Sequence, residues 1–419
     1  MIKIIEKIEG EAKLNFSFDN NIIDFVDIDF FTTRGIEKIL QNRHALDALV
    51  INPRVCGICG HAQLMATVKA LENCYDDIEI SDRAEITREL TLNFEIIQNH
   101  FKWFYLTVMP MMGYKQYILK ATYPSRLMAK AIAIFGGQYP HTSYAIVGGV
   151  VSDIGIMDLI KIESYLDETL KFFETNLIYG DTEKFLECNN SSELLKKDGD
   201  LPYLINKIKS SELLEVGKSY DRFIAFGESS YFKSGKSDKT RLNKKIYVDK
   251  VNEFSPNSSY AKNVQYNGRY YEVGPLSRAM IKKTPLIKDV HRRYGDSMLS
   301  RILARVCEIP QLLNHSKKLL KKLDLNEPSY IEPSTDISNI TSCGVGVVEA
   351  SRGSLIHKVD IKNGIIQKYD IITPTQWNLS SGTKDDMGVA QNSMVGLSSV
   401  ELAELSFKSF DVCSVCTTH

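Results

Sequence analysis

The nine residues DVCSVCTTH (411–419) contain two cysteines three positions apart, Cys413 and Cys416. An earlier stretch, RVCGICG, has the same spacing at Cys56 and Cys59. Four cysteines in two such pairs are suitable thiolate ligands for zinc, an iron–sulfur cluster or another thiophilic metal. The pairs are 354 positions apart (413 − 59), but closure entropy grows only slowly with loop length. A metal bound by all four thiolates would therefore join the two ends of the fold.

The spacing alone leaves three interpretations open. These are a structural zinc site with four cysteine ligands, a catalytic metal site, and a redox-active dithiol, which needs only one of the pairs. The other cysteines stand singly and are expected to be small buried hydrophobic residues: Cys74, Cys188, Cys307 and Cys343. A disulfide scaffold is not expected in a chain of 419 residues without a signal peptide.

The composition is that of a soluble globular protein, with 43% apolar and 25% charged residues and a net charge of −1. This balance indicates no general attraction to nucleic acid or to an anionic membrane. No apolar run approaches the roughly 18 residues that cross a bilayer, and the N-terminal MIKIIEKIEGEAKL lacks the apolar core of a signal peptide. We therefore expect a cytoplasmic protein with no nucleic-acid partner and no membrane span of its own, so that any association with a membrane or any export would depend on a partner.

The periodicity of apolar residues changes along the chain. Residues 1–30 alternate in the manner of short strands, and residues 344–374 return to this pattern, with KNG as a turn. Between them lie long stretches with helical spacing, including residues 80–112 and 296–323. The sequence predicts one α+β domain over 1–419 that is predominantly α, with a central bundle of long helices and small β-rich elements in the N-terminal and C-terminal parts.

Two segments carry more local predictions. The region from about 188 to 245 contains polar runs rich in Lys and Ser, which are predicted to be surface excursions. The stretch YNGRYYEVGPLSR (266–278) is predicted to be a hairpin that leads into a loop.

The two cysteine pairs resemble the metal-binding signatures of the large subunit of [NiFe]-hydrogenases, which are Arg-x-Cys-Gly-x-Cys and Asp-Pro-Cys-x-x-Cys-x-x-His. Further stretches similar to this family follow in the same order along nearly the whole chain. They are KIEGEAKL (7–14), RGIEKIL (34–40), GGQYPHTSYAIVGGV (136–150), YEVGPLSR (271–278), GVGVVEASRGSLIH (344–357) and TPTQWN (373–378).

The resemblance implies a nickel–iron centre, Ni–Fe(CN)2(CO), held by the four paired cysteines. All four would bind nickel, and Cys59 and Cys416 would also bridge to an iron that carries CO and cyanide. It implies a second site for Mg2+ or a similar divalent cation, formed by Glu37, the backbone carbonyl near Ile371 and His419.

The resemblance also assigns roles around the centre. Arg352 would overhang the open side of the metals and Asp411 would orient it. Cys413 would accept the proton released from H2, and Glu9 would relay it outward. Thr375 would donate a hydrogen bond to a cyanide ligand, and Ala350 and Pro374 would line the space of the diatomic ligands. Gln63 would be a further residue that contacts the cofactor.

This chain departs from the family pattern at several positions. Gln63 and Trp103 stand where the family usually has His, and Met111 falls near the position of an Asp that flanks the overhanging Arg in many members. Ser351 and Val412 each replace a Pro. The loss of the Asp implies that Arg352 depends more on Asp411.

The implied activity is the reversible heterolytic cleavage of H2 by the catalytic subunit of a heterodimer. Since the remaining cysteines form no cluster pattern, electrons would leave through a small subunit that contains Fe–S clusters. An alternative is an H2-sensing regulatory subunit of low turnover, which Ile58 and Gln63 favour. A structural zinc protein is the third interpretation.

Overall fold

The computed structural model describes residues 2–7, 10–31, 33–196, 198–239, 241–255 and 259–413. Three residues with predicted roles, Glu9, Cys416 and His419, lie outside these ranges.

The strands within the described ranges are β1 (Ile2–Lys7), β2 (Gly10–Asp19), β3 (Ile22–Phe30), β4 (Ala145–Ile146), β5 (Gly149–Val150), β6 (Arg222–Ala225), β7 (Gly235–Asp238), β8 (Arg241–Asn243), β9 (Val251–Phe254), β10 (Asn263–Tyr266), β11 (Ser342–Ala350), β12 (Gly353–Lys362) and β13 (Ile365–Ile372). The α-helices are α1 (Ile36–Leu40), α2 (Ala48–Ile51), α3 (Gly60–Glu72), α4 (Asp82–Trp103), α5 (Met109–Met111), α6 (Ile118–Gly136), α7 (Ile156–Phe172), α8 (Thr182–Leu186), α9 (Asp200–Ser210), α10 (Pro275–Lys282), α11 (Pro285–Tyr294), α12 (Met298–Leu320), α13 (Pro374–Leu379), α14 (Val389–Met394) and α15 (Val400–Lys408).

Long helices form the centre of the molecule, where α4 packs against α6 and α12, and α7 packs against α6. Ser81 caps α4 by accepting the backbone N–H of Ala84. Acidic residues in the first turn also stabilise this helix, because their negative charge interacts favourably with the positive end of the helix dipole. Helix α12 is buried on all sides: most of its residues are buried, and its hydrophobic residues contribute to the main core. The predicted α+β class with a predominantly helical centre is confirmed.

Small antiparallel sheets flank the helices. β1, β2 and β3 form one sheet near the N-terminus, and β11, β12 and β13 form another near the C-terminus. The predicted turn between β12 and β13 is confirmed at Asn363 and Gly364, both of which have positive φ, as a tight hairpin turn requires.

The two ends of the chain pack together. Leu14 and Ile28 on the N-terminal sheet share a hydrophobic cluster with Phe407 on α15. Two backbone hydrogen bonds add to this contact: Ile23 N–H donates to the Leu397 carbonyl, and Gly396 N–H donates to the Ile23 carbonyl. The C-terminal segment that follows α15 is thereby held beside the rest of the fold.

Two local expectations differ from the structure. The predicted loop after the 266–269 turn is wrong, because Pro275 begins helix α10, where its missing N–H costs nothing. The segment from 188 to 245 contains α9 and the β6–β8 sheet in addition to its polar runs, and the side chains of Leu204 and Phe223 in it are fully buried. Within the part of the chain that the structure describes, no helix has both the length and the apolar character needed to cross a membrane.

Two glycines on β11 allow α3 to lie directly on the strand. A Cβ atom on Gly344 would lie 2.0 Å from the carbonyl oxygen of Ala70, and one on Gly346 would lie 2.0 Å from that of Ala66. Because these are backbone atoms of a helix, they cannot move aside as a flexible side chain would. The Gly-Val-Gly alternation thus fixes α3, which follows Cys59, against the strand that leads to Arg352.

We predict that Gly346→Ala lowers the thermal unfolding temperature, because the added methyl group has no space against α3. Overpacking of this kind costs about 1–3 kcal/mol. Gly180→Ala is the matched control, since its added methyl would meet only the Ile178 carbonyl oxygen, at 3.7 Å. Equal melting temperatures for the two variants would contradict the close packing of α3 on β11.

Candidate metal centre

Three thiols from opposite ends of the described chain meet in one place. The Sγ atoms of Cys56, Cys59 and Cys413 all lie within 4.8 Å of one another. Cys56 and Cys413 are buried and Cys59 is half-buried. Hydrogen bonds with the Cys413 and Cys56 thiols, together with burial, raise the pKa of Cys59 above its usual value. A bound cation reverses this effect because it stabilises the thiolate forms of its ligands.

The first cysteine pair is arranged by a tight turn. Cys56 Sγ accepts the backbone N–H groups of Ile58, at 3.3 Å, and Cys59, at 3.2 Å. Cys59 is the residue before the first turn of α3, so its thiol lies at the positive end of a helix of 13 residues. This local geometry explains why two cysteines separated by two residues can present both sulfurs to one ion.

Side chains of α4 and a neighbouring loop hold this turn from outside. Glu95 accepts the backbone N–H groups of His61, at 2.9 Å, and Ala62, at 3.0 Å, and so caps α3. Asn99 Nδ2 and the Tyr139 hydroxyl both donate to the Ile58 carbonyl. Burial raises the pKa of Glu95 to about 7. Residues that orient ligand-bearing backbone in this way set the geometry of a metal site as much as the ligands do.

The segment before Cys413 is held by two arginines. Arg352 Nε lies 3.0 Å from Asp411 Oδ2 and also donates to the Asp411 carbonyl, at 2.9 Å. Arg305 Nη1, on α12, lies 2.9 Å from the same Asp411 Oδ2. The predicted pairing of Asp411 with Arg352 is therefore present, and Arg305 is a second partner that the sequence did not indicate.

Electrostatics keep both guanidinium groups charged. Burial lowers the pKa of Arg305 to about 10, which still leaves it protonated at neutral pH. Burial alone would lower the pKa of Arg352, but Asp411 and the three nearby thiols raise it above its ordinary value. Arg305 also lies over the ring of Trp103, 4.5 Å from its centroid.

A small cavity of about 20 Å³ adjoins the thiols. Cys59 and Cys413 line it together with the four residues that were predicted to bind the cofactor: Ala350, Pro374, Thr375 and Gln63. Gln63 is fixed there because its Oε1 is 2.8 Å from His357 Nε2. Pro374 and Thr375 begin α13, whose first turn is closed by reciprocal hydrogen bonds between Thr373 and Gln376.

The donor set and the residues that line this cavity have the chemistry that the implied nickel–iron group needs. The thiolates are soft ligands of the kind that nickel and iron share. Ser351 and Arg352 also line the cavity, and Ser351 Oγ and Arg352 Nη1 are buried without a hydrogen-bond partner among the described residues. Buried polar atoms are normally paired, so these two suit small polar ligands beside the metals.

The predicted divalent-cation site is described only in part. Glu37 Oε1 accepts the backbone N–H of Ile371, at 2.8 Å, and Glu37 Oε2 lies 3.2 Å from Lys262 Nζ. Glu37 and Ile371 are thus neighbours through the Ile371 N–H, while His419 lies outside the described residues. Lys262 supplies a positive charge at this carboxylate that the sequence did not indicate.

The sequence did not indicate the residues that hold the ligand-bearing segments in place. These residues are Arg305, which binds Asp411, and Glu95, Asn99 and Tyr139, which bind the backbone around the first cysteine pair. Their contacts to the site cross between elements far apart in the chain. The one available signal was the spacing of Glu95 and Asn99, which places both side chains on one face of α4.

Comparison with known proteins identifies the family. Residues 34–109 and 211–419 match the family model of the nickel-dependent hydrogenases. The sulfhydrogenase 1 subunit alpha of Pyrococcus furiosus is 24% identical over 440 residues, covering 99% of this chain and 96% of the relative. The periplasmic [NiFeSe] hydrogenase large subunit of Desulfomicrobium baculatum is 25% identical over 475 residues, covering 92% and 86%.

The fold is also that of a solved structure. The Ni-Fe-Se hydrogenase from Desulfovibrio vulgaris Hildenborough in the reduced state superposes with a TM-score of 0.84 at 21% identity, over 100% of both chains. The family model covers both described cysteine motifs and the Arg352 hairpin, which are the parts that form the cavity. This chain is a member of the nickel-dependent hydrogenase family.

Proposed function

We propose that residues 1–419 form one large-subunit domain that cleaves H2 reversibly into protons and electrons at a nickel–iron centre. The observation that carries this proposal is the convergence of Cys56, Cys59 and Cys413 within 4.8 Å beside a cavity lined by Arg352. Cys416 completes the ligand set. When bound, the nickel–iron group with its CO and cyanide ligands would supply an electron-poor site able to polarise H2 and to accept its two electrons.

The protein's own residues orient the reaction and handle the proton. Arg352 is held over the cavity by the Asp411 carboxylate and carbonyl, so that its charge has a fixed direction. Cys413 Sγ accepts the proton released from H2, and Glu9 relays it outward. Apolar walls at Ala350 and Pro374 limit the water that reaches the cavity.

The proposed partner is a small subunit with Fe–S clusters, because the cysteines outside the metal centre are scattered singly and provide no cluster of their own. We further propose a cytoplasmic location. Gln63 supports this location, because Gln at this position resembles the H2-sensing and related cytosolic members of the family. Fractionation of cells that produce the tagged complex would test this location.

We also propose a Mg2+ site formed by Glu37, the Ile371 carbonyl and His419. A carboxylate, a carbonyl and water suit this cation, and Glu37 already contacts Ile371. Metal analysis of the Glu37→Gln complex would test the site: one equivalent of Mg2+ should be lost relative to wild type.

A second candidate function is H2 sensing with low turnover, favoured by Gln63, which lines the cavity and is fixed by His357. Rapid H2-dependent dye reduction by the purified complex would exclude it, and slow turnover with a co-purifying signalling protein would support it. A structural zinc site is not proposed, since the family is nickel-dependent.

We predict that Cys413→Ser abolishes both nickel binding and H2-dependent dye reduction by the complex co-expressed with its small subunit. A serine hydroxyl is not ionised at neutral pH and is a harder ligand than a thiolate. Cys343→Ser is the control, because Cys343 lies outside the centre and is an exposed thiol, so the expectation that it is buried was wrong. Stoichiometric zinc without nickel in the wild-type complex would refute the proposed function.

We predict that Arg305→Met lowers H2 oxidation by about 10–100-fold, the usual effect of removing a group that orients a metal site. The loss arises because Asp411 is then free to move with Arg352. In an Asp411→Asn background, Arg305→Met should have little additional effect. The matched control is Arg83→Met, which removes another buried arginine that binds the Leu325 and Glu327 carbonyls. Full activity of Arg305→Met would contradict this role.

A further inference from the structure

Ser351 is the one side chain of the β11–β12 turn that ends in an unpaired hydroxyl. The turn consists of Ser351 and Arg352, between the paired residues Ala350 and Gly353. Ser351 is 1% exposed, and its Oγ has no hydrogen-bond partner among the described residues. Leaving a hydroxyl buried and unpaired costs about 1–3 kcal/mol. A hydrogen-bond acceptor that is not part of the described protein residues, such as a bound ligand, would remove this cost.

The turn is held firmly, so the position of the hydroxyl is fixed. A Cβ atom on Gly353 would lie 2.6 Å from Gly274 N, which shows how closely the turn packs on the start of α10. Arg278 Nη1 donates to the Ala350 carbonyl at 2.9 Å, and Arg305 Nη1 lies 3.5 Å from the Ser351 carbonyl oxygen. The backbone before and at Ser351 is thus pinned by two buried guanidinium groups.

The hydroxyl belongs to the cavity of the metal centre. Ser351 lines this cavity together with Cys59, Cys413 and Thr375. The groups that the proposed function places there are the thiolate-bound metals with their CO and cyanide ligands. Of these ligands, cyanide is anionic and its nitrogen is the stronger acceptor, so a hydroxyl donor gains most from it. Where the family usually has Pro, this chain therefore has a side chain able to donate a hydrogen bond.

We infer that Ser351 Oγ donates a hydrogen bond to a cyanide ligand of the iron and thereby adjusts the electron density at the centre. This inference rests on the proposed function. A donor at the cyanide nitrogen withdraws electron density from the iron. The iron then donates less density to CO, and the C–O bond is stiffer. Removing the donor reverses this effect.

The test is infrared spectroscopy of the purified complex with its small subunit, in wild type and in Ser351→Ala. The CO stretching band of Ser351→Ala is expected at lower frequency than in wild type, with the cyanide bands displaced and the nickel and iron contents unchanged. Ser351→Thr keeps the hydroxyl and is expected to restore the wild-type positions. If Ser351→Ala fails to assemble, Ser351→Cys provides a weaker donor for the same comparison, with an intermediate displacement expected.

The matched control is Ser354→Ala. Ser354 is fully buried three positions away, but its Oγ is bonded to Glu349 and to the Phe226 N–H rather than facing the cavity. Unshifted bands in Ser351→Ala, or equal shifts in Ser351→Ala and Ser354→Ala, would overturn the assignment of Ser351 alone. Absence of CO and cyanide bands from the wild-type complex would overturn the proposed function itself.

Discussion

The close approach of the Cys56, Cys59 and Cys413 sulfurs is the constraint on which the rest of the structure depends. The three sulfurs lie within 4.8 Å of one another, and hydrogen bonds between the thiols together with burial raise the pKa of Cys59, so a bound cation is needed to favour the thiolate forms. The fold supports this arrangement from two directions. Glu95 and the residues around it fix the first pair at the start of α3, and packing of α15 on the N-terminal sheet brings the last segment to the same place.

The charged side chains beside the thiols carry a net positive charge. Asp411 is shared by two guanidinium groups, those of Arg305 and Arg352, so this buried trio carries one net positive charge. Such a charge favours thiolate over thiol in its neighbours. Met111 carries no charge where the family resemblance would place an Asp, and both guanidinium groups contact the same carboxylate oxygen, Asp411 Oδ2. The chain therefore differs from an arrangement in which two acids flank one arginine.

The sequence was sufficient for the parts of the site that are local. The spacing of Cys56 and Cys59 follows from one turn, and the pairing of Asp411 with Arg352 followed from resemblance to a family pattern. It was insufficient for Arg305, because the contact with Asp411 joins positions 106 residues apart. Helix α10 was missed for another reason: Gly274 and Pro275 are typical of loops, and the burial of α10 in the tertiary structure decided its conformation. The polar composition of the 188–245 segment also did not reveal which of its side chains are buried. The sequence therefore did not predict α9 and the β6–β8 sheet in this segment.

The number of residues between the two cysteine motifs also sets the time that separates their synthesis on the ribosome. Ribosomes add about 5–20 residues per second, so the 354 positions between Cys59 and Cys413 correspond to about 18–71 s of synthesis. The residues of α3 and α4 are added early in this interval, so Glu95 and Asn99, which hold the first turn, are present in the chain well before Cys413. The order of translation therefore places the first cysteine pair in every molecule well before the second pair is added.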